Sequence, residues 1–312
     1  MKLIAAFFRL IRWQNLFFIA LTQVLFQFCI YQRIYSVELR SGNDEKSFWF
    51  LVVASVLIAS AGYIINDYFD LNIDAINKPD KVVVNNIISR RWVIIWHLLL
   101  SLVGVYLTFH ALSFHLFWHI MLANLVCVLL LWFYSTTLKK KLLIGNLLIS
   151  ALTAWVIFII FLSKFGLNNV HHLEHKDLYA RFLRLTILYA GFAFIISLIR
   201  EVIKDMEDIE GDRNFGCRTM PILWGLNASK VFVAVWLIVL IITLVILQLY
   251  VIQFSWWASI AYCFVLIVVP LLYVFKKLFA ARNAKDFHQL STYVKLIMLT
   301  GILSMVFFKI YS

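Results

Sequence analysis

Two short acidic stretches hold most of the chemistry that can be read from this chain. NDYFDLNIDAINKPDK, at residues 66–81, places Asp67, Asp70, Asp74 and Asp80 directly after an apolar run, and REVIKDMEDIEGDR, at 200–213, places Asp205, Asp208 and Asp212 after another. The spacing D-x-x-D-x-x-x-D occurs in both. On a helix, positions i, i+3 and i+7 fall within about 60° of one another, so each trio of carboxylates projects from one face. Such a pair of like charges repels by about 4 kcal/mol at 4 Å and an effective dielectric of 20, so a cation is needed to compensate. Hard oxygen ligands without Cys or His select Mg2+, Mn2+ or Ca2+ over zinc or copper. Mg2+ binds one or two carboxylates and leaves its other positions to water and phosphate oxygens. Two such clusters at one membrane face would hold Mg2+ ions suited to a diphosphate.

Basic residues fit that use. Lys78 and Lys81 follow the first cluster, Lys204 and Arg213 flank the second, and Lys139, Lys140 and Lys141 lie between. A run of three lysines serves equally well as a topology signal at a helix end. A diphosphate carrying a long apolar tail, its head at the interface and its tail among the helices, suits a membrane-embedded cavity. That ligand is a prenyl diphosphate.

The elements that position these residues must lie in a bilayer. Of 312 residues, 63% are hydrophobic and 14% charged, against roughly 25% charged in an ordinary soluble domain. Nine runs are long enough to span the hydrocarbon core as helices: 13–31, 47–65, 92–112, 114–134, 142–163, 183–199, 228–250, 256–275 and 291–310. The expected fold is all-α, a single polytopic domain over residues 1–312 with nine transmembrane helices around a central cavity opening near the cytoplasmic face. Only three prolines and ten glycines interrupt it, which favours long unbroken helices. The first run follows Lys2, Arg9 and Arg12 as a signal peptide would, but it is long for an apolar signal core and lacks a small-residue cleavage site, so it reads as an uncleaved span. Cys29, Cys127, Cys217 and Cys263 form no CxxC, which argues against a disulfide framework or a thiolate metal site.

The net charge of +12 is topological rather than a mark of nucleic-acid binding. Nineteen Lys and Arg fall in the N-terminus and the connections on the side of the acidic clusters, and eight on the opposite side. That asymmetry puts the N-terminus and both Asp-rich segments on the cytoplasmic side of the cell (inner) membrane. Ten of the sixteen acidic residues lie in the two long connections at 66–91 and 200–227, so acid is concentrated at one face.

The segments N66-D67-x-x-D70-x-x-x-D74 and D205-x-x-D208-x-x-x-D212 resemble the two aspartate-rich motifs of the UbiA superfamily of intramembrane prenyltransferases. RWQN at Arg12–Asn15, INKPDK at Ile76–Lys81, YSTTLKK at Tyr134–Lys140 with IGN at 144–146, and RTMPILWG at Arg218–Gly225 add to the likeness. The resemblance implies Mg2+-dependent ionisation of an allylic prenyl diphosphate and capture of its carbocation by an acceptor. It implies catalytic and metal-binding roles for Asp70, Asp74, Asp208 and Asp212, with Asn66 in the first metal set and Asp67 and Asp205 as further ligands. Lys139 or Lys140 would contact the diphosphate; Lys81 stands where arginine is common, and Lys204 and Arg213 add charge. Arg12, Asn15 and Tyr134 would line the pocket. Aromatic faces stabilise a carbocation, and Tyr63, Tyr68, Phe69 and Tyr134 lie near the motifs.

KDMEDIEGDR followed by RTMPILWG most resembles members that add geranylgeranyl to geranylgeranylglyceryl phosphate. Members acting on 4-hydroxybenzoate, homogentisate or dihydroxynaphthoate in quinone biosynthesis are the alternative. The expected partners are a prenyl diphosphate, a hydrophobic or aromatic acceptor and membrane lipid, with no nucleic acid and no obligate protein partner. A divalent-cation or lipid transporter is the competing class, but transport calls for ionisable groups near mid-bilayer, and here the carboxylates lie at the ends of the apolar runs. His171, His172 and His175 form an HHxxH in the opposite loop; the spacing could bind zinc, but the preferred reading is an ordinary exposed polar loop. His97, His110, His115 and His119 read as interfacial.

Overall fold

A computed structural model describes residues 2–36, 44–77, 79, 82–165 and 175–311. Nine helices among these residues are long and apolar enough to cross a membrane. We label the short N-terminal helix Lys2–Leu10 α1. The first span, Trp13–Ile34, is α2. Asp44–Phe69 is α3, followed by the short α4, Leu71–Asn77. Next come α5 (Arg90–Ala111), α6 (Phe114–Thr136), α7 (Ile144–Lys164) and α8 (Lys176–Glu207). Two short helices follow, α9 (Ile209–Asn214) and α10 (Met220–Leu223). The last three spans are α11 (Gly225–Ile252), α12 (Trp257–Ala280) and α13 (Ala284–Tyr311). The expected nine spans are therefore present, with shifted ends. The largest shift is in α8, expected over 183–199. Helix continues past the apolar run because charged side chains at its ends reach the interface, and because Lys204 bonds Glu201 one turn back at 2.9 Å.

Large apolar side chains are exposed along the spans, including Leu102, Tyr106, Leu249 and Val265 at 62–69%. In water such rows would be a liability; against lipid they are the solvated face. The chain belongs in a membrane on this ground as well as on composition.

The chain forms two compact units. One comprises Met1–Lys139 with Trp155–Ile187, the other Lys140–Ala154 with Leu188–Ser312. In the first unit α3 and α5 pack closely, because Gly104 has no side chain. A Cβ there would lie 2.8 Å from Ile58 Cγ1 and 3.2 Å from the Ala54 carbonyl. In the same pair His97 is 3% exposed, with Nδ1 2.9 Å from the Ala61 carbonyl. It is a satisfied core histidine and not the interfacial residue expected, because the polar ring finds a helix carbonyl to bond. The second unit has a core of aliphatic residues from α8, α11, α12 and α13, among them Ile199, Leu237, Leu271 and Val294, all fully buried. A capping box starts α13: Asn283 accepts from the Asp286 amide at 3.0 Å, and Asp286 accepts from the Asn283 amide at 3.2 Å. All four cysteines are buried, and none is in a disulfide.

Candidate functional site

Each aspartate motif lies on a helical track that bends at its middle carboxylate. Asp67 is in the last turn of α3, Asp70 is the break, and Asp74 lies in the first turn of α4. Asp205 is near the end of α8, Asp208 is the break, with φ −97° and ψ 11°, and Asp212 is on α9. The hydrogen-bond ladder survives both bends. The Asp70 amide donates to Asn66 O at 2.9 Å and the Asp74 amide to Asp70 O at 2.8 Å. The Asp208 amide donates to Lys204 O at 2.9 Å and the Asp212 amide to Asp208 O at 3.1 Å. The three carboxylates of each motif thus keep helical spacing across a break in direction.

The second bend is followed by a sharp stop. Gly216, at φ +69°, takes the left-handed conformation. Its amide donates to Arg213 O at 3.2 Å, and the Cys217 amide to Asp212 O at 2.9 Å. This is a Schellman ending, in which a residue without Cβ closes the helix at no steric cost. It fixes the length of the segment that carries Asp212.

In the first unit the motif meets cations brought from elsewhere in the sequence. Arg12 Nη2 lies 2.7 Å from Asp67 Oδ1. The same guanidinium sits 5.2 Å from the centroid of the Tyr63 ring, a cation–π distance. Arg12 forms the turn between α1 and α2 in the left-handed region, at φ 51° and ψ 53°, a conformation that costs a residue with a Cβ about 1–2 kcal/mol. Burial would by itself lower its pKa, but Asp67 and then Tyr63 outweigh that and hold it above the usual arginine value. It stays charged at every working pH. Lys139 is ion-paired to Asp70, and Asn66 Nδ2 donates to Asp70 Oδ2 at 2.7 Å. Asn66 Oδ1 is buried and accepts no hydrogen bond.

In the second unit the arrangement differs. Asp205 Oδ2 accepts from Asn146 Nδ2 at 2.9 Å, and Asn146 is buried in the first turn of α7. Arg200 and Lys204 both bind Glu201, at 3.0 and 2.9 Å, rather than Asp205. Glu207 accepts from His288 Nδ1 at 2.9 Å if that nitrogen carries the proton. The Lys140 side chain is exposed, while its carbonyl accepts from the Arg218 amide at 2.8 Å. This bond ties the YSTTLKK segment to the start of RTMPILWG.

Of the remaining expected site residues, Arg213 is exposed, and Asn15, Tyr134, Asp74 and Asp212 are half-buried. Lys78, Asp80, Lys81, His171 and His172 lie outside the described residues; His175, which is described, is exposed just before α8. Asn146 is the residue that motif reading left without a role. Its signal was an amide in the first turn of an apolar span, where a buried polar group must find a partner.

Among the described residues no three His, Cys, Asp or Glu side chains converge as a ready metal cage. The donor chemistry nevertheless fits a hard cation. The motifs offer carboxylate oxygens, and beside Asp70 the buried Asn66 Oδ1 is an acceptor that no protein group satisfies. Asp67 and Asp70 meanwhile take their counter-charges from Arg12 and Lys139.

Comparison with known proteins gives a consistent result. The description of the UbiA prenyltransferase family matches residues 24–299. A digeranylgeranylglyceryl phosphate synthase of Methanothermobacter thermautotrophicus is 36% identical over 203 residues, spanning 62% of this chain and 62% of that protein. The match thus falls short of two thirds of the relative's length. One of the same name from Methanosphaera stadtmanae is 30% identical over 256 residues, 80% of this chain and 83% of the relative. The solved structure of a UbiA homolog from Archaeoglobus fulgidus bound to DMAPP and Mg2+ superposes with a TM-score of 0.59 at 16% identity, covering 96% of this chain and 99% of the other.

Proposed function

Because the chain belongs to the UbiA prenyltransferase family, we propose that it transfers a prenyl group from a prenyl diphosphate to a glyceryl phosphate lipid acceptor, with geranylgeranylglyceryl phosphate as the favoured acceptor. The observation that carries this reading is the matched pair of bends, each placing a carboxylate at the break and one to either side on the same track. The acceptor class rests on the two relatives named as digeranylgeranylglyceryl phosphate synthases. Residues 1–312 act as one catalytic domain, with the prenyl chain among the spans.

Asp70 and Asp74 in the first unit, with Asp67 and the unsatisfied acceptor of Asn66, and Asp208 and Asp212 in the second, with Asp205, would hold Mg2+. Mg2+ held there would supply neutralisation of the charge that develops on the departing diphosphate. Lys139, relieved of its pairing with Asp70 when those carboxylates are occupied, turns its charge to the diphosphate; Lys81, Lys140, Lys204 and Arg213 supplement it. Such fixed cations act where charge appears in the transition state more than in the ground state. Arg12 orients Asp67 through their 2.7 Å ion pair, and Asn15 and Tyr134 line the pocket. Aromatic faces stabilise an allylic carbocation; Tyr68 and Phe69 lie nearest the first motif in sequence, and Tyr63 offers the ring face not covered by Arg12. The cation must be kept from water, which the spans exclude. The excess of Lys and Arg on the side of both motifs supports a site at the cytoplasmic face of the cell membrane.

The test uses the full chain reconstituted in bilayers with geranylgeranyl diphosphate, geranylgeranylglyceryl phosphate and Mg2+. The expected result is pyrophosphate release together with the doubly prenylated lipid by mass spectrometry, both lost on chelation. Product only with 4-hydroxybenzoate, homogentisate or dihydroxynaphthoate would move the acceptor to the aromatic class. No pyrophosphate with any acceptor would overturn prenyl transfer and favour transport.

A further inference from the structure

A separate cavity of about 630 Å3 lies within the first unit, between α1 and the segment that leads into α5. Its volume is in the range of small-ligand sites. The rings of Phe7 and Trp96 meet at 5.1 Å and both line it. Leu3, Ile4 and Trp92 also line it, and they stay 57–65% exposed. The inner face of α1 is by contrast well seated: Ala6 and Leu10 pack with Val84, Ile88 and Val93. The helix is therefore docked, and its open apolar side belongs to the groove.

The charged residues on α1 and at the start of α5 are basic. Arg90 and Arg91 open α5 and are exposed, and Arg9 closes α1. No Asp or Glu occurs in residues 1–37 or 82–112. Ser89, the N-cap of α5, lines the cavity and makes no side-chain cap bond, so the helix start presents amides and a positive dipole end. The spans α2 and α5 begin beside the groove, and tryptophans at such a level mark the lipid–water boundary. The matter available to fill an apolar slot there is lipid, and the basic rim selects its headgroup.

We propose that this groove holds an acyl chain of an anionic bilayer phospholipid, whose phosphate rests on Arg90, Arg91 and the first amides of α5. The site is distinct from the aspartate motifs and makes no use of prenyl transfer.

The test exchanges the purified full chain into a mixture of equal parts phosphatidylglycerol and phosphatidylcholine and reads bound lipid by native mass spectrometry. The expected result is severalfold preference for phosphatidylglycerol, falling to parity in the Arg90→Gln/Arg91→Gln variant. Both arginines are exposed, so the variant should keep its fold, which gel filtration checks. In a second arm, phosphatidylglycerol brominated on its acyl chain should quench the fluorescence carried by Trp92, measured as the difference from a Trp92→Phe variant. Equal retention of the two lipids, preference that survives loss of both arginines, or no quenching of Trp92 would each overturn the proposal.

Discussion

Asn146→Ala is the substitution that most directly probes how the second motif is held. The amide of Asn146 donates to Asp205 at 2.9 Å and is the one side-chain hydrogen bond described for that carboxylate. It comes from a buried residue, 7% exposed, so water does not readily replace it. A hydrogen bond to a charged group is worth about 1.5–3 kcal/mol. If the whole of that is felt when the carboxylate binds its cation in the transition state, kcat/KM for the prenyl diphosphate falls about tenfold to about 150-fold. The assay is initial-rate pyrophosphate release over a range of prenyl diphosphate and Mg2+ concentrations, with thermal unfolding followed in parallel. An orienting role predicts that the Mg2+ requirement rises with the loss of kcat/KM, and that Asn146→Gln recovers part of the rate. A folded Asn146→Ala protein with kcat/KM within twofold of the parent, at an unchanged Mg2+ requirement, would refute the reasoning.

Four other outcomes are expected. Asp70→Ala and Asp208→Ala should each abolish turnover while leaving the protein in the membrane fraction, measured by product mass spectrometry and by fractionation. Lys139→Ala should raise KM for the prenyl diphosphate more than it lowers thermal stability; an unchanged dependence on donor concentration would count against its role. The Mg2+ concentration giving half-maximal rate should rise more in Asp205→Asn than in Asp67→Asn, since Arg12 already balances Asp67 whereas a neutral amide holds Asp205. Gly104→Ala should cost about 1–3 kcal/mol by overpacking, read in chemical denaturation, because the added methyl would meet Ile58 at 2.8 Å and the Ala54 carbonyl at 3.2 Å.

Run length made the spans legible, because a bilayer leaves little choice about where about twenty apolar residues lie. Their ends were less so: α8 extends to Lys176 and Glu207 because charged residues tolerate helix once outside the hydrocarbon. The two carboxylate trios were legible for the same kind of reason, since a repeated spacing of acids is costly without a function. Their bends were not. Nothing in NDYFD or KDMED marks the middle residue as a break, because the hydrogen bonds around it remain those of a helix. Contacts between remote segments were least accessible. Arg12 and Asp67 lie 55 positions apart, and Asn146 and Asp205 lie 59. Arg12 was placed near the site by likeness to a family motif, and Asn146 stood inside another such motif without a partner.

The two motifs solve one electrostatic problem differently. In the first, Arg12 and Lys139 sit on Asp67 and Asp70, so the cluster is stable before any ligand arrives but must surrender an ion pair to accept one. In the second, the nearby cations Arg200 and Lys204 are taken by Glu201, and Asp205 is held by a neutral amide. An amide orients a carboxylate without competing for its charge, whereas a lysine both orients and neutralises. The first motif is thereby suited to exchanging a protein cation for a metal and releasing that protein cation toward an arriving anion. The second is suited to receiving a metal without first giving up a protein cation. Identical spacing in sequence therefore gives unequal chemistry, and the inequality is set by residues outside both motifs.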